Sequence, residues 1–317
     1  MWLSGWSYRK KVTLSRASGA VTNYQMKLLV GESSGATGEN VDCGGKVSAD
    51  FKDLRFTTSD GSTLLDYWIE SISGATPNYL ATVWIEFNSI GTGATTFYMY
   101  YGNSGASSAS NGANTFIVFD DFAGDAINTD NWTVVQGDVG VGSGVLTLSG
   151  TTGTRGLIEH KTGISQGAAW YAKFKTAANK LAGNHISFRQ TGDWNNRAAD
   201  YYGDAAHANQ CFFSNHSGGG STVTSLIAIT GADYYDLWRG TWEANKSTLM
   251  KGSNTLATHT TNVPTGTQYL TMFETLADGV NLLVDYVFVV KYSSTEPAWG
   301  AWGIAESGDG GLFTFHG

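Results

Sequence analysis

Apolar and polar side chains alternate one by one in short runs along much of the chain. Tyr24-Gln25-Met26-Lys27-Leu28, Leu54-Arg55-Phe56-Thr57 and Val83-Trp84-Ile85-Glu86-Phe87 each send every second residue to one face. A period of two belongs to β-strands with one face in a core. Thr96-Phe97-Tyr98-Met99-Tyr100-Tyr101 adds a strand that is aromatic on both faces. Gly, Ser and Asn break the runs, and Ser59-Asp60-Gly61-Ser62 reads as a hairpin turn between Phe56 and Leu64. Gly31 to Lys46, rich in Gly and small polar residues, is predicted to be the long loop of this half.

Thr115-Phe116-Ile117-Val118-Phe119-Asp120-Asp121-Phe122 is an apolar run of strand type that ends in two carboxylates. The residues before it, Asn103 to Asn114, have the Ser, Ala, Gly and Asn composition of a linker, so the run is predicted to leave one β-domain and enter another. Beyond it, strands are predicted around Trp132, Val145 to Ser149, Ala169 to Phe174, Ser187-Phe188, Phe212-Phe213, Leu226 to Ile229, Tyr234 to Trp242, Tyr269 to Phe273 and Leu282 to Tyr292. No fixed-period repeat points to a propeller or solenoid. The expectation is an all-β chain of two antiparallel β-sandwich domains in tandem, residues 1–114 and 115–295, followed by a tail at 296–317.

Composition narrows this picture. With 317 residues the chain is long enough for two cores, and 41 Gly with 13% aromatic and only 15% charged residues fit β-structure better than helix. A net charge of -8 argues against a nucleic-acid partner, which needs a basic face. The sequence contains no apolar run long enough for a transmembrane helix. Met1-Trp2-Leu3-Ser4-Gly5-Trp6 lacks the pattern of a secretory signal. Either such a signal has been removed, or the protein leaves the cell by another route, such as inside a virus particle. Cys43 and Cys211 fall in different predicted domains, leaving a disulfide or two separate thiols open.

Two resemblances add to this reading. Trp6-Ser7-Tyr8-Arg9-Lys10-Lys11-Val12-Thr13-Leu14, Asn23-Tyr24-Gln25, Asp53-Leu54-Arg55-Phe56, Asp60 to Leu65, Tyr67-Trp68-Ile69-Glu70 and Tyr98 to Asn103 are similar to an uncharacterised β-sandwich family of prokaryotic and viral surface proteins. That resemblance implies an architecture and a surface location, and no catalytic residue. Asp121-Phe122 with Trp132-Thr133-Val134, Gly144 to Leu148, Tyr235 to Arg239, Thr258 to Pro264 and Val284 to Val289 resemble the concanavalin A-like, or laminin G-like, jelly roll. It implies pairing of the first and last strands, which would bring the joint near Leu282 to Val290. Glycan binding, glycoside hydrolysis and structural use all occur on that fold.

Hydrolytic members of the jelly-roll fold carry clustered acids of the type Glu-x-Asp-x-x-Glu on one strand. Here Glu159, Glu243 and Glu274 are isolated, and Gly140 to Gly144 reads as a turn rather than a nucleophile elbow, so the chain is expected not to be an enzyme. Asp120 and Asp121 offer oxygens to a Ca²⁺ ion, or else cap a strand end. His207, Cys211 and His216 are metal-capable but fit no common zinc spacing. Sugars present an apolar face and a ring of hydroxyls, which calls for an aromatic platform beside planar polar groups. Trp194, Tyr201 and Tyr202 supply the rings, and Asn196, Arg197 and Asp200 the polar groups, of the glycan-binding candidate. In the tail, Trp299, Trp302, Leu312, Phe313 and Phe315 are too apolar for a free segment, and either fold back or dock on another subunit.

Together these features predict a non-enzymatic structural or adhesive protein at an extracellular or virion surface, such as a phage capsid-decoration or tail component. Its partners would be copies of itself, other particle proteins and glycans. A secreted adhesin or carbohydrate-binding module is the second reading, and a glycoside hydrolase the third.

Overall fold

A computed structural model describes residues 1–35, 38–150, 154–176, 183–203, 211–226, 236–274 and 281–308. The protein is all-β and built almost entirely of antiparallel sheets. It divides into two compact units, Met1–Phe116 with Ser294–Gly317, and Ile117–Ser293.

In the first unit a six-stranded sheet runs Ala298–Trp299, Tyr8–Ser15, Thr95–Tyr101, Arg55–Thr58, Leu64–Leu65, with Glu306–Ser307 also paired to Tyr8–Ser15. A four-stranded sheet runs Val41–Asp42, Val21–Gly31, Leu80–Ile90, Tyr67–Ser73. Alternating residues of the two sheets, among them Leu14, Leu28, Val83, Phe87 and Met99, form one core. Asp60 closes the predicted hairpin turn by accepting from the Ser62 and Thr63 amides. The C-terminal segment folds back: Trp299 pairs in register with Leu14, meets Phe87 edge-on at 5.7 Å and stacks on Trp302 at 5.8 Å. Leu312, Phe313 and Phe315 lie outside the described residues.

The predicted strand at the joint is shorter than its apolar pattern. Asn111 caps a single helical turn, Gly112–Thr115, by accepting from the Asn114 amide. Phe116 then packs edge-on between Trp68 and Trp84, so the first two residues of the apolar run, Thr115 and Phe116, belong to a turn and to the first unit's packing. Only Val118–Asp120 is strand, and it pairs with Val287 to Val289 of the strand Asn281–Lys291. Phe122 ends it with φ 49°, a turn conformation that Asp120 supports by accepting from the Phe122 amide.

The second unit holds two sheets. One runs Asp138–Gly142, Val145–Ser149, Asn281–Lys291, Ala168–Thr176, Asp236–Trp242, Ser247–Lys251, Asn254–His259. The other has seven strands, Trp132–Gln136, Gly156–Ile164, Gln268–Glu274, Asn184–Arg189, Arg197–Gly203, Cys211–Ser217 and Gly220–Ser225. Between them lies a core rich in large rings, including Trp132, Trp170, Trp238, Trp242, Phe188 and Phe213. Cys43 in the first unit and Cys211 in the second are each buried and unbridged.

A β-bulge interrupts the seven-stranded sheet between Arg197 and Asp200. Arg197 faces His216 while Asp200 faces Ser214, so three steps on one strand oppose two on the other. Ala199 takes φ 50° there, and Ala198 and Ala199 both face the core. The bulged peptide is fully satisfied from inside. Trp170 Nε1 donates to Ala199 O at 2.9 Å, and the Ala199 amide donates to Asn215 Oδ1 at 3.1 Å.

Candidate functional site

The face of the seven-stranded sheet that points away from the core carries three adjoining rows of side chains, set by register. Phe273, His185, Tyr202 and Phe212 lie side by side on four neighbouring strands. Their rings stack, with centroids 3.9 Å apart for His185 and Phe273, 5.1 Å for His185 and Tyr202, and 5.0 Å for Tyr202 and Phe212. Glu159, Thr271 and Ser187 form the second row, joined beyond the bulge by Asp200 and Ser214. Tyr269, Arg189, Arg197 and His216 form the third.

The bulge makes this arrangement possible. In a regular strand residues 197 and 200 point to opposite faces. The extra residue brings both outward, where Arg197 Nε donates to Asp200 Oδ2 at 3.0 Å. Asp200 is fully buried and also accepts from Ser214 Oγ at 2.9 Å, with His185 Nδ1 at 3.1 Å from its other oxygen. Burial alone pushes the Asp200 carboxyl up; His185, Arg197 and the bonds from His185 and Ser214 outweigh it and hold the group below the usual carboxylate range. Burial lowers the His185 pKa despite Asp200, so the ring is neutral near pH 7. Because a carboxylate only accepts, Nδ1 carries the proton of that neutral ring. His216 falls to about 4 through burial and then through Arg197, whose Nη2 lies 2.6 Å from His216 Nε2. Arg197 only donates there, so His216 Nε2 accepts.

A second pair lies beside the first. Arg189, almost fully buried, donates to Glu159 Oε2 at 3.0 Å, and Thr191 Oγ1 donates to Glu159 Oε1 at 2.6 Å. The Trp194 ring comes over this pair. Arg189 stacks on it at 4.3 Å, Arg155 at 4.5 Å, and Phe273 meets it edge-on at 4.7 Å. The face therefore combines an aromatic row, two carboxylate–guanidinium pairs and two neutral imidazoles. Such a surface can stack on a ring and exchange hydrogen bonds with hydroxyls around its rim.

The structure brings Trp194, Arg197, Asp200 and Tyr202 together on this face. Tyr201 points the other way, into the core against Phe174 and Trp238 at 5.0 and 4.9 Å, and is removed from the stacking set. Asn196 is engaged locally, donating to Asp193 and accepting from the Gly218 amide. Sequence patterning alone does not single out His185, Glu159, Arg189, Phe273 or His216 as members of the face. The run Asn184–Arg189 does carry a signal, since His185, Ser187 and Arg189 alternate with Ile186 and Phe188.

Asp120 is committed elsewhere. Its carboxylate accepts from Trp132 Nε1 at 2.7 Å and from the Phe122 amide at 2.7 Å, and burial raises its pKa against those two bonds. Asp121 accepts from the Ala123 amide. Among the described residues no group of three His, Cys, Asp or Glu side chains is placed to hold a metal ion, and His207 lies outside them. No helix among the described residues is long and apolar enough to cross a membrane.

Part of the sequence matches a known family, and part of the chain is similar in structure to solved proteins. Residues 50–135 match the family described as a domain of unknown function, DUF2341. The matched range takes in Asp53 to Phe56, Asp60 to Leu65, Tyr67 to Glu70 and Tyr98 to Asn103, but not Trp6 to Leu14. No curated protein matches the sequence. Among solved structures, the chain is similar to a β-1,3-1,4-glucanase (lichenase) from a mouse hindgut metagenome, at 11% identity and TM-score 0.45, covering 55% of this chain and 98% of that one. It is also similar to a Bacillus licheniformis β-glucanase, at 14% identity and TM-score 0.45 over 55% of this chain and 97% of the other. For an endo-β-1,3-glucanase from Pyrococcus furiosus the values are 14%, 0.44, 56% and 94%. The expectation that the chain is not an enzyme is corrected by these comparisons, since the solved structures it resembles are glucanases. Likeness at this level carries no argument for a particular activity.

Proposed function

We propose that the outer face of the seven-stranded sheet binds a carbohydrate chain. The observation that carries this reading is the aromatic row from Phe273 to Phe212, set beside polar groups that the bulge at Ala199 turns to the same side. A sugar ring lies against the stacked rings with its C–H face, and its hydroxyls meet Arg197, which the buried Asp200 holds in place. A cell or virus-particle surface is the setting this proposal takes from the sequence.

The test is affinity electrophoresis of the full chain through a panel of soluble polysaccharides, with Tyr202→Ala as the variant. Losing one stacking ring is expected to weaken binding about two- to tenfold, since such pairs contribute about 0.5–1.5 kcal/mol. A reducing-end assay on the same panel reads whether the bound chain is also cleaved. If no polysaccharide retards the protein, or if Tyr202→Ala binds as tightly as the parent with its circular dichroism intact, the reading fails.

A further inference from the structure

Charge on this face does not balance pair by pair. Glu159 faces Arg189, and Asp200 faces Arg197, which accounts for both buried carboxylates. Arg155 remains. Its guanidinium stacks on Trp194 at 4.5 Å and has no carboxylate within ion-pairing distance among the described residues. Asp193, the acid of the neighbouring loop, is half-buried and accepts from the Asn195 amide and Asn196 Nδ2. His185 and His216, the titratable neighbours on this face, carry no negative charge that could pair with it.

Unmatched donors lie on the same face. Arg189, the second guanidinium on Trp194, is 2% exposed and keeps a buried Nε–H without a partner. Ser187, fully buried in the row between Thr271 and the bulge, has a hydroxyl without a partner. Buried donors without acceptors are costly. A stacked cation beside surplus donors is complementary to an anion attached to a ring that also stacks.

Building on the carbohydrate-binding reading, we infer that the ligand is an acidic polysaccharide, with a sugar carboxylate held by Arg155 beside Trp194. Guanidinium matches a carboxylate with two parallel N–H donors, and a cation already resting on an indole gives up little freedom when it binds. Nucleic acid fits the site poorly. A phosphate backbone needs neutralising along its length, whereas this face presents one unpaired cation in a chain of net charge -8.

The experiment measures affinity of the full chain, at fixed ionic strength, for polygalacturonate and alginate, for neutral laminarin and barley β-glucan, and for dextran sulfate and single-stranded DNA. The expected result is a preference of about tenfold or more for the two uronate polymers over the neutral ones, and its collapse in Arg155→Gln. Competition of wild-type protein by free galacturonate against galactose supplies the same answer without a variant, and galacturonate is expected to compete at lower concentration. Neutral polymers binding as tightly as uronates would overturn the inference and leave the carbohydrate reading standing. Equal or tighter binding of dextran sulfate or DNA would overturn it as simple ion exchange. A preference that survives in a folded Arg155→Gln chain would overturn it too. Binding to none of the polysaccharides would remove both proposals.

Discussion

Replacing Trp170 with Phe tests whether the bulged peptide at Ala199 sets the geometry of the outer face. Trp170 is fully buried and its Nε1 donates to Ala199 O at 2.9 Å. Removing that donor from a buried carbonyl costs about 1–3 kcal/mol. The smaller ring also gives up the burial of two carbons, at about 0.8 kcal/mol each. The summed loss is on the order of 3–5 kcal/mol. Trp242→Phe is the matched control. Trp242 is as buried, and its Nε1 donates to Pro264 O at 3.0 Å, so its loss should be of similar size. The two variants should therefore lower the urea midpoint alike, followed by far-UV circular dichroism. They should differ in the titration of His216 by NMR. Its pKa is held at about 4 by burial and by Arg197, and Arg197 reaches it only while the bulge holds its phase. In Trp170→Phe the value should climb toward 6.5; in Trp242→Phe it should stay. Equal titration of His216 in both proteins would refute the role given to the bulge.

Acid should destabilise the second unit well above the range of ordinary carboxylates. Burial lowers the pKa of His160, His185, His216 and His259, so below pH 6.5 the unfolded chain binds protons that the folded chain does not. For His160, which is 4% exposed and falls to about 4, the loss between those pH values is about 3 kcal/mol. Asp200 acts lower on the scale: its stabilisation is present above the unfolded value near 4 and disappears as pH falls through its depressed folded value. Urea midpoints at about pH 7.5 and 4.5 check this, and a flat profile would contradict it. In the first unit, Trp299→Ala removes ring contacts with Phe87 and Trp302 and should cost about 1–3 kcal/mol, read by thermal melting; an unchanged melt would show that the returning segment adds nothing.

Most strands are legible because one face of each sheet is buried and period two survives in the sequence. Val83 to Phe87 and Tyr24 to Leu28 both lie in strands where the pattern predicts them. The site is legible in part. Arg197, Asp200 and Tyr202 stand out for their chemistry and do share a face, yet period two alone separates Arg197 from both Asp200 and Tyr202. A one-residue bulge leaves little trace in composition, because Ala198-Ala199 is ordinary sequence. The same shift of phase explains why Tyr201, expected on the surface, belongs to the core. Glu159 is isolated in sequence, and its partner Arg189 lies thirty residues away, joined to it only by strand order. At the joint, an apolar run reads as one strand because turn and strand use the same hydrophobic residues when each is packed against rings.

The return of the chain to its first unit has a consequence for biosynthesis. Residues 117–293 emerge from the ribosome after the bulk of the first unit and before the segment that completes it. Until Ala298–Trp299 and Glu306–Ser307 arrive, one edge of Tyr8–Ser15 has no backbone partner from that segment. A nascent or truncated chain thus exposes a strand edge of the kind that recruits other chains. The inserted unit can finish folding while the unit that surrounds it in sequence is still waiting for its last two strands.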